Sequence, residues 1–102
     1  MARVAWSEVA KRDYREVIEW IALDSLSAAE KWESKLLRAP DVLERFPEIG
    51  AIVEDGNFPG LREILVRPYR IIYRIDDDVC HILHVVHGSR DLRRILDPEN
   101  LP

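Results

Sequence analysis

Arginine is concentrated in the second part of the chain, where its side chains could bind an anion. Residues 61–96 hold seven arginines and no lysine against five acidic residues, although the whole chain carries a net charge of −4. The planar guanidinium has five N–H donors and matches phosphate or carboxylate oxygens in bidentate fashion. Two interpretations stay open here, a basic binding surface and ordinary solvated arginines. The seven are Arg62, Arg67, Arg70, Arg74, Arg90, Arg93 and Arg94.

The three histidines recur at an interval of three residues, at His81, His84 and His87. An offset of three places successive strand residues on opposite faces, so these side chains cannot converge on one ion. We therefore predict no metal site. His87, near the end of the segment, is retained as a candidate for acid–base chemistry.

Other chemical motifs are weak or missing in this sequence. The run Asp76-Asp77-Asp78 is typical of a turn rather than of a Mg²⁺ site, because consecutive side chains splay apart. The single cysteine, Cys80, lies among apolar strand residues and is predicted to be a buried thiol. There is no glycine-rich phosphate loop, paired CxxC motif or GxSxG motif. We therefore predict no cofactor.

Two amphipathic helices are predicted in the first part of the chain. The first begins after Ser7 and runs to about Leu23, and the second begins at a capping box formed by Ser27 and Glu30. Pro40 interrupts the second pattern and predicts a kink or break. Apolar residues with helical spacing define one buried stripe on each helix: Ala10, Tyr14, Val17, Ile18 and Ile21 on the first, and Ala29, Trp32, Leu36, Ala39 and Leu43 on the second.

Three apolar residues lie off these stripes, namely Trp20, Leu23 and Leu37. At about 100° per residue, Trp20 and Leu23 fall beside acidic side chains, where a monomer's core would not reach them. Large exposed apolar side chains anchor protein interfaces, so we predict that another polypeptide covers this side of the helices. The competing interpretation is a set of scattered surface apolar residues, which are common.

The last part of the chain changes from helical to strand periodicity. Segments 61–66, 69–75 and 79–87 are rich in β-branched and aromatic residues and are separated by turns at 67–68 and 76–78. With a short strand at 2–6, the predicted class is α+β with the order β-α-α-β-β-β in a single domain, residues 1–102. A helical hairpin packs on one face of a small, mainly antiparallel sheet, and the other face is bare and rich in arginine.

The order of elements, together with particular segments, resembles the ParE/RelE toxin superfamily. The resemblance covers residues 2 to about 94. It implies a cytoplasmic toxin, neutralised by a cognate antitoxin that is ParD-like or RelB-like and wraps the helical hairpin and the sheet edge. The segments that carry it are Ala28-Ala29, Leu43…Phe46-Pro47…Gly50, Leu61-Arg62-Glu63, residues 69–75 and residues 85–92.

Members of this superfamily have two activities. RelE-like members cleave mRNA in the ribosomal A site, and on that pattern Arg62, Arg70 and Arg90 would stabilise charge on the scissile phosphate. ParE-like members bind DNA gyrase. Residues 91–102 contain no Tyr, His or Lys to complete a RelE-like site, and an acidic chain suits a ribosome binder poorly. The ending His-Gly-Ser-Arg-Asp-Leu is similar to ParE-like toxins, so we favour gyrase as the target.

Two further possibilities stay open. One is a degenerate member that only complexes an antitoxin and represses its own operon, and the other is a homodimer formed through the exposed apolar residues. The chain has no segment of about 18 consecutive apolar residues that could span a bilayer, and its start lacks the apolar region of a signal peptide. We therefore predict a cytoplasmic protein without a membrane partner.

Overall fold

Two helices lie against one face of a five-stranded sheet in the computed structural model, which describes residues 1–96. Short 3-10 helices follow the second helix and the last strand. The elements, in chain order, are β1 (Arg3–Trp6), α1 (Glu8–Ala22), α2 (Leu26–Arg38), a first 3-10 helix (Ala39–Glu44), β2 (Ala51–Ile52), β3 (Leu61–Val66), β4 (Tyr69–Asp76), β5 (Val79–His87) and a second 3-10 helix (Leu92–Arg94).

The sheet has the strand order β1-β5-β4-β3-β2. β1 runs parallel to β5, and the other neighbours are antiparallel, so the predicted mainly antiparallel α+β fold is confirmed. The turn between β4 and β5 places Asp77 at a φ of 54°, a conformation that aspartate tolerates better than most residues. Sequence reasoning missed β2, because two residues inside a connection rich in glycine and proline are too short to show a period.

The start of α2 differs from the predicted capping box. Ser25, not Ser27, is the N-cap, and its hydroxyl accepts a hydrogen bond from the Ala28 amide at 3.1 Å. The helix therefore begins two residues earlier, and Leu26 becomes its exposed first residue. The break predicted at Pro40 is confirmed, since α2 ends at Arg38 and the proline enters the first 3-10 helix.

The predicted stripes of both helices pack on the sheet. Ala10 and Leu36 are fully buried against the central strands, with Ile71, Tyr73 and Ile82 in the same cluster. Cys80 is also buried there, and burial raises the pKa of its thiol, as expected for an unreactive core cysteine. The predicted helix–sheet core is therefore confirmed.

The opposite face of the sheet is not bare, which corrects the sequence-based expectation. The connection after β2 and the segment after β5 fold over it and bury a second apolar cluster. Ile72, predicted on the arginine-rich face, is fully buried in this cluster. Its members are Val53, Phe58, Leu61, Ile72, Leu83, Val86, Leu92 and Leu96.

A polar contact ties α1 to the edge of β5 beyond the point where β1 ends. Asp13 Oδ2 accepts a hydrogen bond from the Val85 amide at 3.1 Å and lies 2.9 Å from His84 Nδ1. A β-bulge at this level of the β4–β5 pairing accompanies the contact. The carboxylate thus satisfies an edge amide that would otherwise lack a partner in the sheet.

The Tyr73 hydroxyl holds the loop between the first 3-10 helix and β2. This buried phenol donates to the Pro47 carbonyl at 2.7 Å and accepts from the Gly50 amide at 2.9 Å. Burial raises the pKa of Tyr73, which keeps the phenol protonated and able to donate. A Cβ atom at Gly50 would lie 2.5 Å from the Tyr73 ring and 2.8 Å from the Glu63 carbonyl. Residue 50 must therefore be glycine, because the ring and the backbone leave no room for a Cβ atom.

We expect Gly50→Ala to destabilise the protein by about 1–3 kcal/mol, because the added methyl group meets the aromatic ring and rigid backbone. Urea unfolding followed by circular dichroism measures this. Ser34→Ala, on the exposed side of α2, is the control and should change stability by less than about 0.5 kcal/mol. Equal stability of the two variants would contradict the packing described here.

Candidate functional site

Arg70 lies at the centre of an ionic cluster on the second face of the sheet, with only 10% of its side chain exposed. Nε donates to Glu63 Oε2 at 2.8 Å, and Nη2 lies 2.6 Å from the same oxygen. Nη1 and Nη2 donate to the two carboxylate oxygens of Asp55 at 3.2 and 2.8 Å. Nη1 also donates to the Arg90 carbonyl at 3.2 Å. The guanidinium is thus surrounded by acceptors from the protein itself.

This cluster joins three parts of the chain that are distant in sequence. Asp55 belongs to the connection after β2, and its Oδ2 also accepts from the Leu92 amide at 2.7 Å. Its hydrogen bonds with Arg70 hold the pKa of this carboxyl at about 2, below the ordinary 3.8. The same contacts raise the pKa of the Arg70 guanidinium. The connection and the C-terminal segment are therefore fastened to β4 through one side chain.

Arg62 does not belong to this cluster. It lies opposite Tyr73 in the β3–β4 pairing, whereas Arg70 lies opposite Leu65, so the two arginines occupy opposite faces of the sheet. Its Nη1 donates to the carbonyls of Glu48 and Gly50 at 3.1 and 2.9 Å. The predicted grouping of Arg62, Arg70 and Arg90 around one phosphate is therefore not formed by these side chains.

His87 and Arg90 are exposed where β5 ends. His87 Nδ1 accepts from the Ser89 amide at 3.1 Å and lies 2.8 Å from the Ser89 hydroxyl. Its ring meets Tyr69 edge to face, with 5.9 Å between the ring centroids. Because Nδ1 accepts a hydrogen bond from the Ser89 amide, the hydrogen of the neutral ring lies on Nε2, which can act as a donor.

A groove between α1 and the end of β5 contains three of the predicted site residues, His87 and Arg90 on one side and the predicted partner-binding residue Trp20 on the other. Trp20 and Val17 form its apolar wall on α1, and His87 and Arg90 lie on the opposite side. Arg12 and Arg90 give the groove basic side chains, while Asp13 and Glu16 supply acidic ones.

The exposed apolar residues form more than one group. Trp20 and Leu23 are 72% and 82% exposed, and Leu26, which sequence reasoning assigned to the turn, is 74% exposed at the same end of the hairpin. Leu37 is 47% exposed but lies eleven residues along α2 from Leu26, about 16 Å away. Leu37 is therefore separate from the cluster at the hairpin turn.

A family model described as the ParE toxin of the type II toxin–antitoxin system parDE matches residues 4–92. The chain belongs to the ParE toxin family. The match runs from within β1 to the first residue of the second 3-10 helix. The protein is therefore a type II toxin of the ParE/RelE superfamily.

Similar proteins carry both ParE and RelE names. The ParE-family chain is 33% identical over 91 residues to Toxin RelE2 of Caulobacter vibrioides, covering 88% of this chain and 99% of that one. The chromosomal ParDE system of P. aeruginosa aligns with a TM-score of 0.71 at 21% identity, over 85% of this chain and 96% of that one. The toxin–antitoxin complex RelBE2 of Mycobacterium tuberculosis aligns with a TM-score of 0.61 at 25% identity, over 84% and 96%.

The three histidines of the ParE-family chain have three different surroundings. His84 contacts Asp13, His81 lies 4.0 Å from Asp76, and His87 contacts Ser89. Within residues 1–96, no group of three His, Cys, Asp or Glu side chains is arranged to hold a metal ion. In the same range, no helix is both long and apolar enough to cross a membrane.

Sequence reasoning missed the two carboxylates that pair with Arg70. Glu63 could have been found, because a β3–β4 hairpin with a two-residue turn places it diagonally across from Arg70 on the same face. Asp55 left no such signal. It reaches Arg70 only because the connection after β2 crosses the sheet, and no periodicity encodes that path.

We expect Arg70→Met to destabilise the protein by about 3–5 kcal/mol, because it leaves two poorly hydrated carboxylates without a partner. Denaturant unfolding measures this. Arg90→Ala is the matched control, since its side chain is exposed and the carbonyl that Arg70 uses is kept, so its effect should stay within about 0.5 kcal/mol. A stable Arg70→Met variant would show that the cluster does not hold the face together.

The low pKa of Asp55 predicts a loss of stability in acid. Because the folded-state pKa of about 2 lies below the ordinary 3.8, the carboxylate stabilises the fold above pH 4 and loses this effect as pH falls through 2. The difference in free energy of unfolding between the wild type and Asp55→Asn should be about 2 kcal/mol smaller at pH 2 than at pH 5. A difference independent of pH would mean that Asp55 is not ionised in the cluster.

Proposed function

We propose that this ParE-family toxin acts in the cytoplasm on a protein target, DNA gyrase, and is neutralised by a cognate ParD-like antitoxin. We choose a protein target because the hydrogen-bond donors of Arg70 are already occupied. Its N–H donors are directed at Asp55, Glu63 and the Arg90 carbonyl, which leaves none of them aimed at a scissile phosphate. This arrangement supports inhibition by binding over RNA cleavage.

The surroundings of Arg70 point in the same direction. The open groove beside it is also lined by Glu54, whose charge repels a phosphate backbone, and by Asp55 and Glu63, whose carboxylates are paired with Arg70. Arg67 and His87 are its other basic lining groups. A RelE-like endonuclease would need a positively charged site that stabilises the transition state, and this groove has a mixed charge instead.

The RelE-like alternative is supported by the 33% identity to Toxin RelE2 and by the similarity to the toxin–antitoxin complex RelBE2. In that case Arg90 and His87, which are exposed near each other on the α1–β5 groove, would act on RNA, and Arg62 and Arg70 would have structural roles. Arg90→Ala is the appropriate test variant. Arg70→Ala would lose activity by unfolding whichever target is correct.

We expect the purified chain to inhibit DNA supercoiling by gyrase and to leave mRNA uncut in a ribosome-dependent cleavage assay. Induction of the chain alone should arrest growth with filamentation and chromosome damage. Codon-positioned mRNA cuts that disappear in Arg90→Ala would reverse the assignment in favour of an endonuclease. A chain that neither arrests growth nor acts in either assay would be a corepressor that has lost its toxicity.

The antitoxin is expected to cover the α1–β5 groove and the apolar residues at the hairpin turn. An apolar side chain of the antitoxin would pack beside Trp20, and an acidic one would pair with Arg12 or Arg90. Since His87 and Arg90 line the same groove, a bound antitoxin would also cover the exposed residues at the end of β5. Neutralisation by occlusion follows from this shared location.

We predict that Trp20→Ala with Leu23→Ala weakens antitoxin binding by about 30-fold or more, because both residues are exposed anchors. The probe is the product of a short reading frame overlapping or abutting this gene, and calorimetry measures its affinity. Leu37→Ala, at the far end of α2, is the control and should bind normally. Unchanged binding by the double variant would place the antitoxin elsewhere.

A further inference from the structure

A second exposed apolar group lies far from the antitoxin groove. Phe46 and Ile49 follow the first 3-10 helix and are each 58% exposed. With Arg45, Pro47 and Glu48 they surround a shallow hollow on the surface. We call Phe46 and Ile49 the loop pair. The function proposed above makes no use of it.

The loop pair is held rigidly from beneath. Tyr73 bridges the Pro47 carbonyl and the Gly50 amide, and Arg62 bridges the carbonyls of Glu48 and Gly50. Four hydrogen bonds from two side chains of the sheet therefore fix the backbone that carries two apolar side chains. A rigid apolar pair loses little conformational entropy on binding, which favours its use as an anchor.

Its location separates the loop pair from the α1–β5 groove. The adjoining hollow is lined by Ala2 and by the turn residues Asp77 and Asp78, next to the first residue of β5. The groove with His87 lies at the last residue of β5, eight residues and about 26 Å further along the strand. The two surfaces share no lining residue among those described.

The charges around the loop pair define the chemistry of its partner. Four exposed carboxylates flank it, against two basic side chains, Arg45 among the described residues that line the two hollows and the half-buried Arg62 beneath the loop, so the surface is acidic. This surface repels nucleic acid. It complements a protein surface whose apolar recess is bordered by lysine or arginine. The carboxylates belong to Glu44, Glu48, Asp77 and Asp78.

We infer that the loop pair anchors the toxin to its protein target, entering an apolar recess with a basic rim. The inference rests on the proposed function, because it takes gyrase as that target. It adds a contact site outside the groove that the antitoxin covers. The target thus binds two ends of the toxin, the loop pair at one and the His87 end of β5 at the other.

The test compares variants that remove exposed apolar surface at different places. Phe46→Ala with Ile49→Ala removes the loop pair, and Leu37→Ala, the control variant, removes a side chain that is 47% exposed on α2, away from the loop pair and from the grooves beside His87. The loop-pair variant should raise the toxin concentration needed for half-inhibition of gyrase supercoiling at least about tenfold. The control variant should inhibit like the wild type, and both should bind the antitoxin and unfold at wild-type temperatures.

Charge reversal tests the basic rim. Glu44→Lys with Glu48→Lys should weaken binding to gyrase severalfold, and the wild-type affinity should fall as salt is added. Gyrase binding that is unchanged or stronger in this variant would overturn the inference, and binding of the wild-type chain to DNA alone would mean that the partner is nucleic acid.

The remaining outcomes separate the inference from the proposed function. If the wild type inhibits gyrase and the loop-pair variant inhibits it equally, the function stands and the anchor does not. An equal loss in the loop-pair and control variants also overturns the anchor, because it reports a general effect of surface apolar area. If the wild type has no effect on gyrase, the proposed function fails and the anchor assigned to that target fails with it.

Discussion

The pairing of Arg70 with Asp55 and Glu63 is the interaction on which the second half of the structure depends. It compensates a buried guanidinium with two carboxylates and fixes the connection after β2 to the sheet. Because Asp55 also accepts from the Leu92 amide, the C-terminal segment is positioned by the same cluster. The apolar cluster on this face can form only where these two segments meet, so the ionic and hydrophobic contributions are coupled.

This arrangement separates structural arginines from exposed ones. Arg70 and Arg62 hold loops from opposite faces of the sheet. Nε, Nη1 and Nη2 of Arg70 all have protein acceptors, and Nη1 of Arg62 donates to two backbone carbonyls. Arg90 remains exposed beside His87 at the end of β5. Fold alone does not specify chemistry, so the groups available for contact depend on which side chains of this chain stay accessible. In this ParE-family chain, the accessible surface has a mixed charge and exposed apolar residues, which are features of protein–protein contact.

On the other face of the sheet, the helices divide their apolar residues into buried and exposed ones. Their buried stripes give the core, and the residues left off the stripes, such as Trp20 and Leu23, remain exposed at the turn of the hairpin. The loop that follows α2 exposes Phe46 and Ile49 at the other end of the sheet, and Tyr73 keeps its backbone fixed. Two groups of exposed apolar side chains therefore lie at opposite ends of the molecule, one at the hairpin turn and one on a loop whose backbone is held by Tyr73.

The sequence by itself determined the strands β3 to β5, the buried stripes of both helices, the break at Pro40 and the exposure of Trp20 and Leu23, because each depends on periodicity or on local backbone preference. Tertiary structure alone decided that the second face is covered and that Arg70 is paired with Asp55. Contacts of that kind depend on the path of the segments that connect the strands, and these segments have no sequence periodicity that would predict it. The charge of a side chain does not reveal which distant segment will neutralise it.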